Sequence, residues 1–173
     1  MLLVPVGEAP HREIDQEPGP DVRARLCEYA VAGDGRLSLS RVEVDRPGPS
    51  YSVDTLRLLR EQAPDDEFTV ILGADQATRL LGWREPEIVL SLAKVAVAAR
   101  QGVEREAVLG HLDGLDGSEK IVFFDIPRID ISSSLVRERA GSGRPIRYLV
   151  PDKVADYIEA QSLYGPSMPV SAE

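Results

Sequence analysis

Short apolar runs alternate with amphipathic stretches through most of this sequence. Residues 68–72 (FTVIL) form a continuous apolar run, which predicts a strand covered on both faces. Residues 95–99 predict another buried strand, and Ile121–Asp125 (IVFFD) predicts the last one. Residues 37–44 alternate apolar and polar side chains, as in a half-buried strand, and residues 1–6 predict a strand at the very start.

Helical spacing of apolar residues marks the segments between these strands. Asp21 is predicted to cap a helix that ends near Gly33, and Ser52 is predicted to cap the next one. Further helices are expected from residue 74 to about 81, over residues 86–92, after Ser132, and from Pro151 onward. Strands that alternate with short helices predict an α/β fold with a mostly parallel sheet and helices on both faces. Ligands of such folds bind at the carboxyl ends of the strands.

The segment ISSSLVR, residues 131–137, follows the last predicted strand. If Ser132 caps the helix, Ser133 and Ser134 lie in its first turn, and Arg137 shares their face of the helix. A helix N-terminus with added hydroxyls and an arginine is suited to bind an anion, most naturally phosphate. The alternative is a redundant serine cap beside a solvated arginine.

Four other residues are candidates, three of them because they follow predicted strands. Arg100 could brace a phosphate, and Arg12 in the first loop has the same potential, although both could be ordinary surface arginines. Asp75 could accept hydrogen bonds from a ligand or cap a helix. Trp83, the only tryptophan, could stack on a planar ring or pack in the core.

Composition narrows the range of function classes. The net charge of −9 argues against nucleic-acid or membrane-surface binding through a basic face. A single cysteine, Cys27, excludes an intrachain disulfide and is expected to act as a small structural hydrophobe. Two histidines far apart predict no protein-built metal site, and no apolar run is long enough to cross a membrane, so the cytoplasm is the expected compartment.

Taken together, several segments resemble one family, the bacterial nicotinate-nucleotide adenylyltransferases of the nucleotidyltransferase superfamily. The matching stretches are residues 3–12 (LVPVGEAPHR), 49–56 (PSYSVDTL), 73–75 (GAD) with Trp83 and Arg84, 100–102 (RQG), 131–137 (ISSSLVR) and 147–152 (RYLVPD). They cover nearly the whole chain, and their order is specific as a set. The resemblance implies a Rossmann-like nucleotidyltransferase fold over residues 1–164. The composition of residues 165–173 (GPSMPVSAE) predicts a disordered tail.

The activity implied by the resemblance is transfer of AMP from ATP to nicotinate mononucleotide, which releases pyrophosphate and forms the dinucleotide precursor of NAD. By the family pattern, Ser132, Ser133 and Arg137 are catalytic, and they hold the ATP phosphates together with Ser134 and Arg12. The family pattern also implies that the nicotinate nucleotide is held by Ser52, Asp75, Trp83 and Arg100, with Trp83 stacking on the pyridine ring. Mg²⁺ is expected on the ATP phosphates rather than in a protein cage.

The sequence departs from the family at its front. The family opens with a strand and the phosphate-binding motif GTFDPxHxGH, which this sequence lacks. We therefore expect the first strand of the sheet to be missing, through a downstream start codon or a genuine loss, and the activity of these 173 residues to be impaired. A non-catalytic nucleotide-binding module and transfer to the amide nucleotide or to another superfamily substrate are the alternatives. The oligomeric state stays open.

Overall fold

The computed structural model describes residues 1–10, 18–99, 105–127 and 129–165. Along the chain, the strands and helices are β1 (Leu2–Leu3), α1 (Pro20–Val31), β2 (Ser38–Leu39), α2 (Ser52–Gln62), β3 (Phe68–Gly73), α3 (Ala74–Ala77), α4 (Pro86–Leu92), β4 (Ala93–Ala99), α5 (Arg105–Gly110), β5 (Ile121–Asp125), α6 (Ser133–Gly141) and α7 (Asp152–Ala160). Two single turns of 3₁₀ helix, Leu80–Gly82 and Ser118–Lys120, complete the described elements.

The chain forms two compact units. The first combines residues from Met1 to Pro49 with those from Asp130 onward, and the second runs from Ser50 to Ile129. All strand pairs are parallel in the part of the chain that the structure describes. The predicted α/β class with parallel strands is therefore confirmed, whereas the assignment of residues 1–164 to one domain stays a prediction.

In the first unit, β1 and β2 pair over only two residues each, with Leu2 opposite Ser38 and Leu3 opposite Leu39. The strand predicted over residues 1–6 ends early because Pro5 has no N–H, and because Arg23 donates hydrogen bonds to the carbonyls of Val6 and Gly7. The strand predicted over residues 37–44 is also too long. A turn begins at Ser40, whose hydroxyl accepts a hydrogen bond from the N–H of Val42.

The core of the first unit lies between α6, α7 and α1. It consists of buried apolar side chains, namely Val136, Ile146, Val154, Ala155 and Ile158. The rings of Tyr29 on α1 and Tyr157 on α7 pack beside it, with centroids 5.2 Å apart. The helix predicted from Pro151 onward is confirmed, and it buries Val154 and Ile158.

In the second unit, β3, β4 and β5 form a parallel sheet with β4 in the centre. One face is covered by the helices of this unit, and the side chains buried there include Leu80, Leu90, Val95, Val97, Val108, Leu112 and Ile121. On the opposite face, Ile71 and Val122 are each 53% exposed. The prediction that the strand at residues 68–72 is covered on both faces is therefore wrong, because the helices of this unit pack on one face only.

Three predicted helix caps also shift. Gly19 rather than Asp21 caps α1, since Pro20 takes the first helical position, where its missing N–H costs nothing. Tyr51 caps α2, and Ser52 is its first residue. Gly73 caps α3, so the alternative role of Asp75 as a cap is wrong as well. The helix expected to reach residue 81 ends at Ala77 and is followed by the 3₁₀ turn.

Candidate active site

The first candidate group lies at the start of α6, in the first unit. Ser132 has extended backbone angles, and its Oγ accepts a hydrogen bond from the N–H of Leu135 at 3.1 Å. Ser132 is therefore the N-cap, as the sequence predicts. Ser133 and Ser134 follow in the first turn, and all three serines are exposed. Their hydroxyls are accessible to a ligand at the positive end of the helix dipole.

Arg137 completes this group. Its Nη2 donates a hydrogen bond to Oγ of Ser134 at 3.3 Å, and its side chain is partly buried. The first turn of α6 carries no acidic residue, whereas α2 carries Asp54 and α7 carries Asp152 at the equivalent place. Backbone N–H groups, hydroxyls and a guanidinium thus lie together at a helix start whose first turn carries no acidic residue, which is an arrangement that can bind a phosphate group.

The second candidate group belongs to the other unit. Asp75 is exposed directly after β3, and the backbone at Gly73 approaches its carboxylate closely. A Cβ at position 73 would lie 2.7 Å from Oδ1 of Asp75, so only glycine leaves room for this position of the carboxylate. Ser52 opens α2 and is partly buried.

The structure shows one of the two predicted roles of Trp83, which is packing in the core, and leaves stacking on a ligand ring a prediction. It packs against the sheet core and against a second buried cluster formed by Val53, Leu56, Val89 and Ala93. Its backbone N–H donates to the carbonyl of Leu80 at 3.0 Å. The side chain is nevertheless only partly buried, so part of the indole remains available for contact with a ligand ring.

A charged network joins Arg84 and Glu85, the two residues that follow Trp83, to α2, and the sequence alone did not reveal it. Arg57 donates to both carboxylate oxygens of Glu85, at 3.3 Å and 2.7 Å. Arg84 lies 3.4 Å from Asp54 Oδ2, and its guanidinium carbon stands 4.9 Å from the ring centroid of Tyr51. The hydrogen bonds from Arg57 lower the pKa of Glu85. The only local signal was the spacing of Asp54 and Arg57, one helical turn apart.

The structure thus brings Ser132, Ser133, Ser134 and Arg137 together at one helix end. It places Ser52, Asp75 and Trp83 in the other unit. Arg12 and Arg100 lie outside the described residues, as does the tail from residue 166.

The described ranges contain no cluster of three or more histidine, cysteine, aspartate or glutamate side chains arranged to hold a metal ion. They also contain no helix that is long and apolar enough to span a bilayer. Cys27 is partly buried, and desolvation raises the pKa of its thiol.

Comparison with known proteins identifies the family. The cytidylyltransferase-like family model matches residues 1–139. A probable nicotinate-nucleotide adenylyltransferase from Roseiflexus sp. (strain RS-1) is 39% identical over 166 residues, which cover 95% of this chain and 82% of that protein. The chain belongs to the nicotinate-nucleotide adenylyltransferase family. A second relative of the same name, from Tropheryma whipplei (strain Twist), is 36% identical and matches over 95% of this chain and 83% of its own length.

Solved structures agree on the fold of this adenylyltransferase family member. Nicotinic acid mononucleotide adenylyltransferase from Plasmodium falciparum, complexed with NaAD, superposes with a TM-score of 0.70 over 94% of this chain and 81% of that chain. At 19% identity, the likeness concerns the fold alone. The predicted Rossmann-like nucleotidyltransferase fold and the predicted family are both confirmed. The roles of the individual site residues stay predictions.

Proposed function

We propose that this chain transfers AMP from ATP to nicotinate mononucleotide, producing nicotinate adenine dinucleotide and pyrophosphate. The observation that carries the proposal is the start of α6, where the Ser132 cap, the exposed Ser133 and Ser134, and Arg137 form a phosphate-binding arrangement. The family supports this proposal, because the relatives that are 39% and 36% identical to this chain bear the name of this activity.

The chemistry requires alignment and charge neutralisation rather than a covalent enzyme intermediate. A phosphate oxygen of nicotinate mononucleotide attacks the α-phosphorus of ATP and forms a new P–O bond. The bond from that phosphorus to the oxygen bridging to the β-phosphorus breaks, and pyrophosphate carries the electron pair away. Negative charge builds up on the leaving group, so donors placed there in advance lower the barrier.

The residues at the start of α6 supply such donors. We assign the ATP phosphates to Ser132, Ser133, Ser134 and Arg137, with Arg12 as a further contact. Ser132, Ser133 and Arg137 are the proposed catalytic residues, because they donate hydrogen bonds to the reacting phosphates. The ATP phosphates would carry Mg²⁺ as part of the substrate, and the ion would supply charge neutralisation there. The hydroxyl and guanidinium donors of α6 suit phosphate oxygens rather than the metal, so no protein cage is proposed.

The nicotinate nucleotide is assigned to the second unit. Trp83 stacks on the pyridine ring with the part of its indole that stays exposed. Asp75 accepts hydrogen bonds from the nucleotide, while Ser52 and Arg100 donate to it. The chemistry of these donors and acceptors, together with the packing of Trp83, supports the assignment.

The test combines an assay of product with a binding measurement. Purified protein is incubated with ATP, Mg²⁺ and nicotinate mononucleotide, and dinucleotide and pyrophosphate are quantified in parallel with a reaction on nicotinamide mononucleotide. Equal amounts of dinucleotide and pyrophosphate, with preference for the acid nucleotide, are expected.

Two other results would select the alternatives. Preference for the amide nucleotide would contradict the proposed substrate. Binding without any dinucleotide would indicate a non-catalytic nucleotide-binding module. Binding is measured by the fluorescence of Trp83, which is the only tryptophan and which the pyridine ring is expected to quench. No quenching at millimolar nicotinate mononucleotide would argue against stacking on Trp83.

A further inference from the structure

We propose that the side chains around Trp83 act as a clasp that positions its indole for the substrate ring. The clasp consists of two ion pairs, Arg57–Glu85 and Arg84–Asp54, together with the ring of Tyr51. The part of this proposal that concerns substrate binding rests on the proposed function. The part that concerns the position of Trp83 rests on the geometry of the second unit alone.

The clasp acts on a short turn. Trp83 is tied to the preceding 3₁₀ turn through its N–H bond to Leu80, and α4 begins at Pro86. Only Arg84 and Glu85 lie between the tryptophan and this helix. Both of these side chains reach across to α2, some 28 to 30 residues earlier in the chain. The turn that carries the indole is therefore fastened to another helix from both of its middle residues.

Glu85 shows that this turn is held under strain. Its φ of 51° and ψ of 57° lie in the left-handed region, which is unfavourable for a residue with a side chain, and it precedes a proline, which restricts it further. Such a conformation persists where the surroundings determine it. Here the two-pronged hydrogen bond from Arg57 holds the carboxylate, and Nε of Arg84 lies 3.7 Å from Oε1.

Arg84 fastens the turn to the start of α2. Its guanidinium stacks over the ring of Tyr51 and approaches the carboxylate of Asp54. These two residues flank Ser52 in the sequence. Tyr51 and Trp83 also pack against the same buried cluster of Val53, Leu56, Val89 and Ala93. The clasp therefore sets the indole relative to the same helix end that carries Ser52, a second predicted contact of the nicotinate nucleotide.

The exposure of these side chains indicates positioning rather than fold stabilisation. Arg57, Arg84 and Glu85 are between 39% and 52% exposed, and ion pairs this open add little to folding free energy. Holding an aromatic side chain in its binding orientation, by contrast, removes an ordering cost from association. Loss of the clasp should thus weaken binding of the nicotinate nucleotide while leaving the fold intact.

The experiment uses Arg57→Ala, Glu85→Gln and Arg84→Ala in the full chain. Steady-state fluorescence anisotropy of Trp83 without ligand is expected to fall in each variant, because the indole gains freedom. The KM for nicotinate mononucleotide is expected to rise about tenfold, because the indole must be ordered when the substrate binds. The KM for ATP is expected to stay unchanged. Where turnover is too slow, the dissociation constant from quenching replaces KM.

A matched control and a conservative variant sharpen the result. Lys94→Ala breaks another exposed ion pair of the same unit, Lys94–Glu67 at 2.9 Å, and should change neither anisotropy nor KM. Arg57→Lys keeps a positive charge beside Glu85 and beside Asp54, whose Oδ1 lies 3.5 Å from Arg57, and should regain part of the anisotropy that Arg57→Ala loses. An Arg57→Lys variant as mobile as Arg57→Ala would contradict the pairing.

Two outcomes would overturn the proposal. One is an unchanged Trp83 anisotropy in Arg57→Ala and Arg84→Ala. The other is a parallel loss of affinity for both substrates with a large fall in Tm, which marks a merely structural role. If the unmodified chain neither binds nor converts nicotinate mononucleotide, the proposed function fails, but ligand-free anisotropy still decides whether the clasp positions Trp83.

Discussion

Arg137 donates a hydrogen bond from Nη2 to Oγ of Ser134 at 3.3 Å, across one turn of α6. The bond holds the guanidinium beside the helix start and leaves its other N–H groups for a ligand. Ser134 in turn keeps the capacity to donate its own hydroxyl proton. Arg137 and Ser134 thus form one group of hydrogen-bond donors. Removing the guanidinium of Arg137 tests whether this group binds phosphate.

Arg137→Ala is expected to raise the KM for ATP by roughly 10- to 100-fold, because a hydrogen bond to a charged phosphate contributes about 1.5–3 kcal/mol. Arg137→Lys should retain part of the effect, since the charge remains but the fork of donors is lost. The matched control is Arg139→Ala on the same helix, where Nε donates to the carbonyl of Pro145 instead. Equal KM values for the Arg137 and Arg139 alanine variants would refute the assignment of phosphate binding to Arg137.

Ser132 separates capping from ligand binding. Ser132→Ala removes the hydrogen bond from Leu135 N–H and should cost about 1 kcal/mol of unfolding free energy, a fall of about 2–4 °C in Tm. Ser132→Asp should keep the cap and the Tm, but its carboxylate should repel the ATP phosphates and raise KM sharply. Thermal melts and ATP titrations measure the two effects. Unweakened ATP binding by the aspartate variant would contradict a phosphate site at the start of α6.

Two adjacent leucines test the core of the second unit. Leu80 is fully buried, whereas Leu81 is 48% exposed. Leu80→Ala should lower the free energy of unfolding by about 2–5 kcal/mol, because it removes packed methyl groups and leaves a cavity. Leu81→Ala should change it by about 0.5 kcal/mol or less. Urea unfolding followed by circular dichroism gives both values, and similar losses for the two variants would contradict the burial described here.

Acid should release the clasp. Arg57 lowers the pKa of Glu85 below its ordinary value of 4.5. A carboxyl group whose pKa is lowered by folding stabilises the folded arrangement at pH values above its unfolded pKa. This contribution is lost as the pH falls through the folded pKa, because the protonated carboxyl no longer pairs with the guanidinium. Trp83 anisotropy should therefore be constant from pH 7 to about pH 5 and fall at lower pH. The transition should be smaller in Glu85→Gln, and an identical acid transition in that variant would assign it to another group.

Local features of the chain were sufficient for much of the fold. The apolar runs at residues 95–99 and 121–125 became β4 and β5, and the helix at residues 86–92 is present as α4. Ser132 caps α6 as predicted. These predictions succeed because hydrophobic periodicity and capping depend on neighbours within one or two turns. The order of the family motifs was likewise visible without coordinates, since it depends on residue identity alone.

Predictions failed where a distant group intervened. The strand at residues 1–6 shrank to Leu2–Leu3 because Arg23, on α1, takes the carbonyls that a longer strand would offer to a neighbour. Ile71 is exposed although it lies between apolar neighbours in the chain, since sheet coverage depends on where helices pack. A residue's own segment carries no information on either point.

The candidate site divides along the same line. Ser133 and Ser134 lie four and three positions before Arg137, so the helix face that they share with Arg137 follows from helical geometry before any folding is considered. The clasp around Trp83 joins Arg57 to Glu85 across 28 residues. That pairing exists only once α2 and the turn before α4 pack on the same buried cluster, because an ion pair requires atoms within about 4 Å of each other whatever their separation along the chain.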